Sequence, residues 1–261
     1  MIPTVGQAAA MNAMAYADAG EQEILSNAGW QRQNFAQCEK TGCVVVPWKH
    51  AAGTIYLAVR GSTCRSDILD DMRVFLGQPP IERIGFLTNY IQTWYPENLG
   101  QKTLLVGGHS LGGMVAMGAA AQWRLCGLLQ NSPGWLINPP DRDSLEKLVE
   151  IRTGRDVVGA WGHTVPTTLI VHDHDVSQWN LSALHNVYRQ QVLIREHGLD
   201  HLLLNDISLR QLGMDYASDA DKTGTFAWMK ETWRRVTRES ILDRSARKSI
   251  GSMGISRPCK H

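Results

Sequence analysis

The stretch Gly108-His109-Ser110-Leu111-Gly112-Gly113 sets a serine among small residues, with several aspartates and histidines further along the chain. Those residue types suit nucleophilic attack on an acyl carbon. A serine hydroxyl at its ordinary pKa is a weak nucleophile, so a histidine must accept its proton and an acid must hold that histidine. Where G-x-S-x-G lies between a strand and a helix, the partners follow in the order Ser, Asp, His. The flanks here fit that setting: an apolar run at 103–106 precedes the motif and a helix-forming run at 114–123 follows it. Ser110 is therefore the candidate nucleophile. It sits at a helix N-terminus, where backbone N–H groups and the macrodipole favour a developing negative charge.

Among the downstream acids, Asp156 is best placed. Arg155-Asp156-Val157-Val158-Gly159 has the character of a post-strand loop that carries an acid over the sheet edge. For the base, His185 is favoured, because it stands where a polar loop gives way to a helical-looking stretch, Ala183-Leu184-His185-Asn186-Val187-Tyr188. His201, between Asp200 and Leu202-Leu203-Leu204, is the runner-up, and spacing alone leaves both open. Two other clusters suggest different chemistry. His172-Asp173-His174-Asp175 offers four metal-ligand types, but neighbours on a strand point to opposite faces and the spacing fits no metal motif. A polar strand end is expected there, with no metal site. Asp67, Asp70 and Asp71 read as the solvated face of a short helix.

The elements needed to position these groups can be read along the chain. Residues 8–25 read as a helix ending near Gly29, and residues 43–48 and 54–59 as two strands joined by Ala51-Ala52-Gly53. Residues 66–74 read as a helix, Gln78-Pro79-Pro80 breaks it, and residues 81–95 form a second with an apolar stripe. Strands are expected at 103–106, 126–129 and 167–171, and a helix at 144–148. Strands alternating with helices imply a mostly parallel sheet with helices on both faces, and such sheets place ligands at the C-terminal ends of their strands.

Composition excludes several classes. A net charge of +1 gives no overall pull toward nucleic acid. Cys38, Cys43, Cys64, Cys126 and Cys259 are odd in number and contain no C-x-x-C pair, so neither a disulfide framework nor a zinc site is indicated. No signal peptide or membrane-spanning run is visible, which suggests a cytoplasmic protein or one exported by a signal-independent route. Residues 1–221 are expected to form the main domain, with a basic, partly helical extension at 222–261. That extension holds ten Lys or Arg against three Asp or Glu. Phe226, Met229, Trp233 and Val236 fall at helical spacing within it. Such a helix usually packs on its own domain, yet it also has the character of a peripheral membrane contact.

Taken in order, the motifs resemble a family. Val59-Arg60-Gly61-Ser62, then Asp67-Ile68-Leu69-Asp70-Asp71-Met72, then Ile84-Gly85-Phe86 and Gly108 to Gly113 are similar to the class 3 lipases, the fungal-lipase-like branch of the α/β-hydrolases. Ile68 stands where that family usually has Trp. The resemblance covers about residues 44–160. Some bacterial members of the wider group also carry features like Ala15-Tyr16, Gly29-Trp30 and the His185/Tyr188 pair. The resemblance implies an α/β-hydrolase fold, and it implies that the backbone N–H groups of Ser62 and Leu111 form the oxyanion hole. Two such donors would be worth on the order of 3 kcal/mol each. It supports Asp156 as the acid. It also places residues 63–77 where the family often has a lid, although a surface helix reads equally well.

The expectation is a serine hydrolase acting on carboxylic esters of lipids, a lipase, phospholipase or esterase. It would use Ser110, His185 and Asp156 and need no cofactor. The alternative is a non-catalytic lipid- or protein-binding module on the same fold.

Overall fold

The computed structural model describes residues 1–16, 22–63, 73–74, 76–136, 138–154, 156, 158–159, 161–162, 165–173 and 185–204. Its centre is an eight-stranded sheet. The strands are β1 (Trp30–Arg32), β2 (Ala36–Gln37), β3 (Val44–His50), β4 (Ile55–Val59), β5 (Leu104–His109), β6 (Gly127–Gln130), β7 (Leu148–Thr153) and β8 (Thr167–Val171). The order is β1-β3-β4-β5-β6-β7-β8, with β2 also paired to β3. β3 and β4 form the expected antiparallel hairpin, and β4 through β8 run parallel.

Side-chain alternation divides two cores between the sheet's faces. Val44, Val46, Trp48, Tyr56, Ala58, Leu105 and Leu128 join one cluster; Val45, Ile55, Leu57, Val59, Leu104, Val106 and Leu129 join the other. Both faces are buried, so the central strands read as continuous apolar runs, as parallel sheets do. Helices α1 (Val5–Ala13) and α5 (Val187–Glu196) cover the first face. α3 (Ile81–Trp94) and α4 (Leu111–Trp123) cover the second. The helix α2 (Gln22–Asn27) precedes β1. With a serine turn between β5 and α4, this is an α/β-hydrolase fold.

Two expected elements differ. The helix predicted over 8–25 is interrupted: α1 begins earlier, on a capping box between Thr4 and Gln7, and ends at Ala13. Met14 still bonds to Ala10, but Ala15 and Tyr16 bond only three residues back, to Asn12 and Ala13. The turn tightens because Tyr16 is drawn to the sheet, where its hydroxyl meets His109 and Gly61. The helix predicted over 144–148 is a 3-10 turn, Arg142–Leu145, after which the chain enters β7. Leu145-Glu146-Lys147 favours helix locally, but Leu148 to Thr153 fills the sheet between β6 and β8, and tertiary pairing prevails.

The described residues all belong to one unit, Met1–Tyr216. The extension at 222–261 lies outside the described residues, as do Asp67, Asp70, Asp71 and most of residues 63–77. No helix of the described residues is long and apolar enough to cross a membrane.

Candidate active site

Ser110 stands at the end of β5 with φ 57° and ψ −133°, a backbone region that costs a non-glycine residue on the order of 1–3 kcal/mol. The strain is held from both sides. The Ser110 N–H donates to the Gln130 carbonyl at 3.0 Å, and its own carbonyl accepts from Gly113 at 2.9 Å and Met114 at 3.3 Å. Such a turn needs the following helix to lie against the neighbouring strand. A Cβ on Gly112 would stand 2.7 Å from the Arg60 carbonyl carbon and 2.8 Å from the Gly61 nitrogen, both backbone. Only glycine allows that approach, which brings the start of α4 beside Arg60 and Gly61. Leu111 is the first residue of α4, so its N–H has no acceptor within the helix.

Asp156 lies just beyond β7 and is almost fully buried. Its Oδ2 accepts from the Gly159 N–H at 2.9 Å and its Oδ1 from the Val158 N–H at 3.3 Å. His185 Nδ1 is 3.0 Å from each of the two oxygens. A carboxylate accepts, so Nδ1 carries the proton and the lone pair of the neutral ring is on Nε2. That is the tautomer a general base requires.

The segment bearing His185 is anchored just after it. Asn186 caps α5, accepting from the N–H groups of Tyr188 and Arg189. Arg189 forms a two-armed pair with the buried Asp173, at 2.7 and 2.8 Å. Gln190 Nε2 donates to Asn131 Oδ1 and to the Ile151 carbonyl at 2.9 and 2.8 Å. Helix α5 is thus tied to the residues just after β6 and β8 and to the middle of β7.

Ser62, Ser110 and His185 line one cavity of about 400 Å³, together with Tyr16, Val74, His109, Pro133, Val158, Asn186, Val187 and Tyr188. Asp156 sits behind His185. Apart from the serines, Asn186 and the rings of Tyr16, His109, His185 and Tyr188, the wall is aliphatic. His201 does not line this cavity. Its side chain is 74% exposed and lies 3.7 Å from Asp200, on a turn that pairs with the chain's N-terminal residues.

His172-Asp173 resolves differently from a metal cluster, since Asp173 is Arg189's partner; His174 and Asp175 lie outside the described residues. Among the described residues no group of three or more metal-ligating side chains is assembled. Sequence reasoning gave no role to His109 and Tyr16. His109 is inside the motif itself, and burial holds its pKa well below the usual imidazole value, with the nearby His185 lowering it further. Its Nδ1 is 2.9 Å from the Tyr16 hydroxyl and its Nε2 is 2.9 Å from the His185 carbonyl. Asn131 and Gln190 gave no signal in the sequence, because an amide in a loop or on a helix face is usually solvated.

No protein-family model matches the chain, and no curated protein matches it. Solved structures do. The extracellular lipase LipA from Serratia marcescens is 18% identical, with a TM-score of 0.44 over 67% of this chain and 41% of the Serratia protein. This chain thus spans about two fifths of that lipase. A lipase from Rhizopus microsporus var. chinensis is 20% identical, with a TM-score of 0.44 over 66% of this chain and 74% of its own. The Rhizomucor miehei lipase, seen with its propeptide, is 16% identical at a TM-score of 0.40, covering 64% of this chain and 67% of that one.

Proposed function

We propose that this chain is a serine hydrolase that cleaves carboxylic esters of lipids, with Ser110 as nucleophile, His185 as base and Asp156 as the group that orients it. One observation carries the reading. His185 presents Nδ1 to a buried carboxylate while lining the same cavity as Ser110 and Ser62. A histidine so held has its basic nitrogen available for a hydroxyl proton. In this reading Ser110 Oγ bonds to the ester carbonyl carbon as its proton passes to His185 Nε2. The oxyanion is met by the N–H groups of Ser62 and Leu111. Collapse breaks the bond to the alcohol oxygen, which takes the proton from His185, and leaves an acyl-serine. Water, deprotonated by the same base, then releases the carboxylic acid.

The aliphatic part of the wall, Val74, Pro133, Val158 and Val187, suits an acyl chain, since apolar pockets with few polar groups bind apolar groups. That favours lipid esters such as those cleaved by lipases and phospholipases. The test is labelling with a fluorophosphonate, which traps an activated serine. The wild-type chain is expected to label, and Ser110→Ala and His185→Ala to abolish labelling while His201→Ala labels as wild type. A wild-type chain that does not label removes the enzyme reading and leaves a binding module on a hydrolase fold.

A further inference from the structure

We propose that Tyr16 and His109 are positioning residues. They form a one-directional chain of hydrogen bonds tying the backbone before the Ser62 oxyanion donor to the backbone of the His185 base. The inference rests on the ester-hydrolase reading of Ser110, His185 and Asp156.

The direction follows from what each atom can do. The Gly61 N–H donates to the Tyr16 hydroxyl oxygen at 3.0 Å. At the other end the His185 carbonyl can only accept, so His109 Nε2, 2.9 Å away, carries a proton. His109 is 4% exposed, and burial keeps its ring neutral, so its Nδ1 has a lone pair and no proton. Tyr16 has one proton to give. Nδ1 at 2.9 Å is the better acceptor, while the His109 carbonyl is at 3.3 Å. The chain therefore runs Gly61 N–H to Tyr16, Tyr16 O–H to His109 Nδ1, His109 Nε2–H to the His185 carbonyl. Each bond polarises the next.

What the chain connects gives it a function. Gly61 directly precedes Ser62, His109 directly precedes Ser110, and the final acceptor is the carbonyl of the base residue itself. These residues come from β4's end, β5's end and the approach to α5, and contacts span 45, 93 and 76 residues of sequence. Three separate loops must agree in position for acyl transfer, and misplacement by an ångström can cost on the order of 100-fold in rate. The Asp156 pair sets the rotation of the His185 ring. The His109 bond sets where the backbone bearing that ring stands. The ring centroids of His109 and His185 are 4.7 Å apart, so His109 must also remain uncharged while His185 carries its transient positive charge. A lysine or arginine there would supply the same donor but oppose that charge.

The experiment is a double-mutant cycle on the full chain. Wild type, Tyr16→Phe, His109→Gln and the double variant are compared in p-nitrophenyl butyrate hydrolysis and fluorophosphonate labelling, with thermal melts alongside. His109→Gln is chosen because its amide can still donate toward the His185 carbonyl while the ring Nδ1 that accepts from Tyr16 is lost, so it breaks the same link as Tyr16→Phe. Tyr16→Phe is expected to lower kcat by about 10- to 100-fold with KM within about threefold, and His109→Gln to act similarly. The double variant should be no worse than the worse single, because one broken link already opens the chain. A 15N-histidine spectrum of wild type should show one neutral Nε2–H imidazole that persists well below the usual imidazole range. Tyr16→Phe should move that ring's titration. Multiplicative single effects in an active enzyme, or a His109 ring in the Nδ1–H form, would overturn the relay alone. Wild type that neither labels nor hydrolyses overturns the hydrolase reading and removes the relay's role with it.

Discussion

Asp156→Asn tests the orienting role proposed for the acid without changing its size. The carboxylate takes three donors, the N–H groups of Val158 and Gly159 and Nδ1–H of His185, on two oxygens. An amide offers one oxygen. Gly159 at 2.9 Å makes the closest backbone contact and is 0.4 Å nearer than Val158, so the oxygen turns to it and the NH₂ faces His185. The ring then shifts its proton to Nε2 in order to accept from that NH₂. The nitrogen needed for Ser110 becomes a donor and cannot act as a base. Loss of the correct tautomer in a serine–histidine–acid system lowers kcat by about 10⁴, close to 5.5 kcal/mol of barrier. The fold is affected far less. One charge-assisted bond is weakened in a nearly fully buried place, about 1–2 kcal/mol, or roughly 2–8 °C in Tm for a chain of this size. Fluorophosphonate labelling rates and circular dichroism melts measure the two effects separately. A variant that labels within tenfold of wild type while melting within that range would refute the orienting role of Asp156.

Other perturbations test the parts that hold the site. Gly112→Ala forces a Cβ against the Arg60 and Gly61 backbone, which cannot move without carrying β4; we expect a loss of about 3 kcal/mol or more, read as a lower Tm and poor soluble yield. Arg189→Met removes both arms of the pair with buried Asp173 and is expected to cost about 3 kcal/mol, with kcat falling more than KM rises because α5 anchors His185, the proposed base. His109 makes stability pH-dependent. Its folded pKa is depressed by burial, so the unfolded chain takes up a proton first as pH falls below about 6.5. The stability it contributes is complete above that value and is lost below it. The Tm of wild type should therefore drop as pH is lowered from 6.5, and His109→Gln should flatten that slope; equal slopes in both would show that His109 does not govern it.

The parts of the molecule legible in the sequence were those whose causes are local. The β5–α4 turn is encoded within six residues, since Gly108, Gly112 and Gly113 supply the clearances that Ser110's conformation needs. The β3–β4 hairpin follows from two apolar runs around Ala51-Ala52-Gly53, where Gly53 takes φ 86°. β7 was hidden for a physical reason. Glu150, fully buried, interrupts the apolar alternation of Leu148 to Ile151, and its carboxyl is pushed above the usual carboxylate range by that burial. A run broken by a buried acid and an arginine does not read as a strand. α1 ended early because of Tyr16, whose partners lie 45 and 93 residues away and so leave no local trace.

His185 shows where local reading stops. Its sequence setting, a polar loop before an amphipathic helix, is shared in outline by His201, which also borders an apolar run. What distinguishes the two is held elsewhere: Asp156, 29 residues back; the pair of Asp173 with Arg189; Asn131 receiving Gln190; and His109 beneath the His185 carbonyl. None of these contacts shortens the chain's local options, and each is formed only once β5, β6, β7 and β8 lie side by side. A general base is defined by which of its two nitrogens is already committed, and that commitment is a tertiary contact. It follows that a candidate nucleophile on a strained turn can be found from six residues, whereas the base proposed for it can be chosen only after the sheet has brought the acid to it.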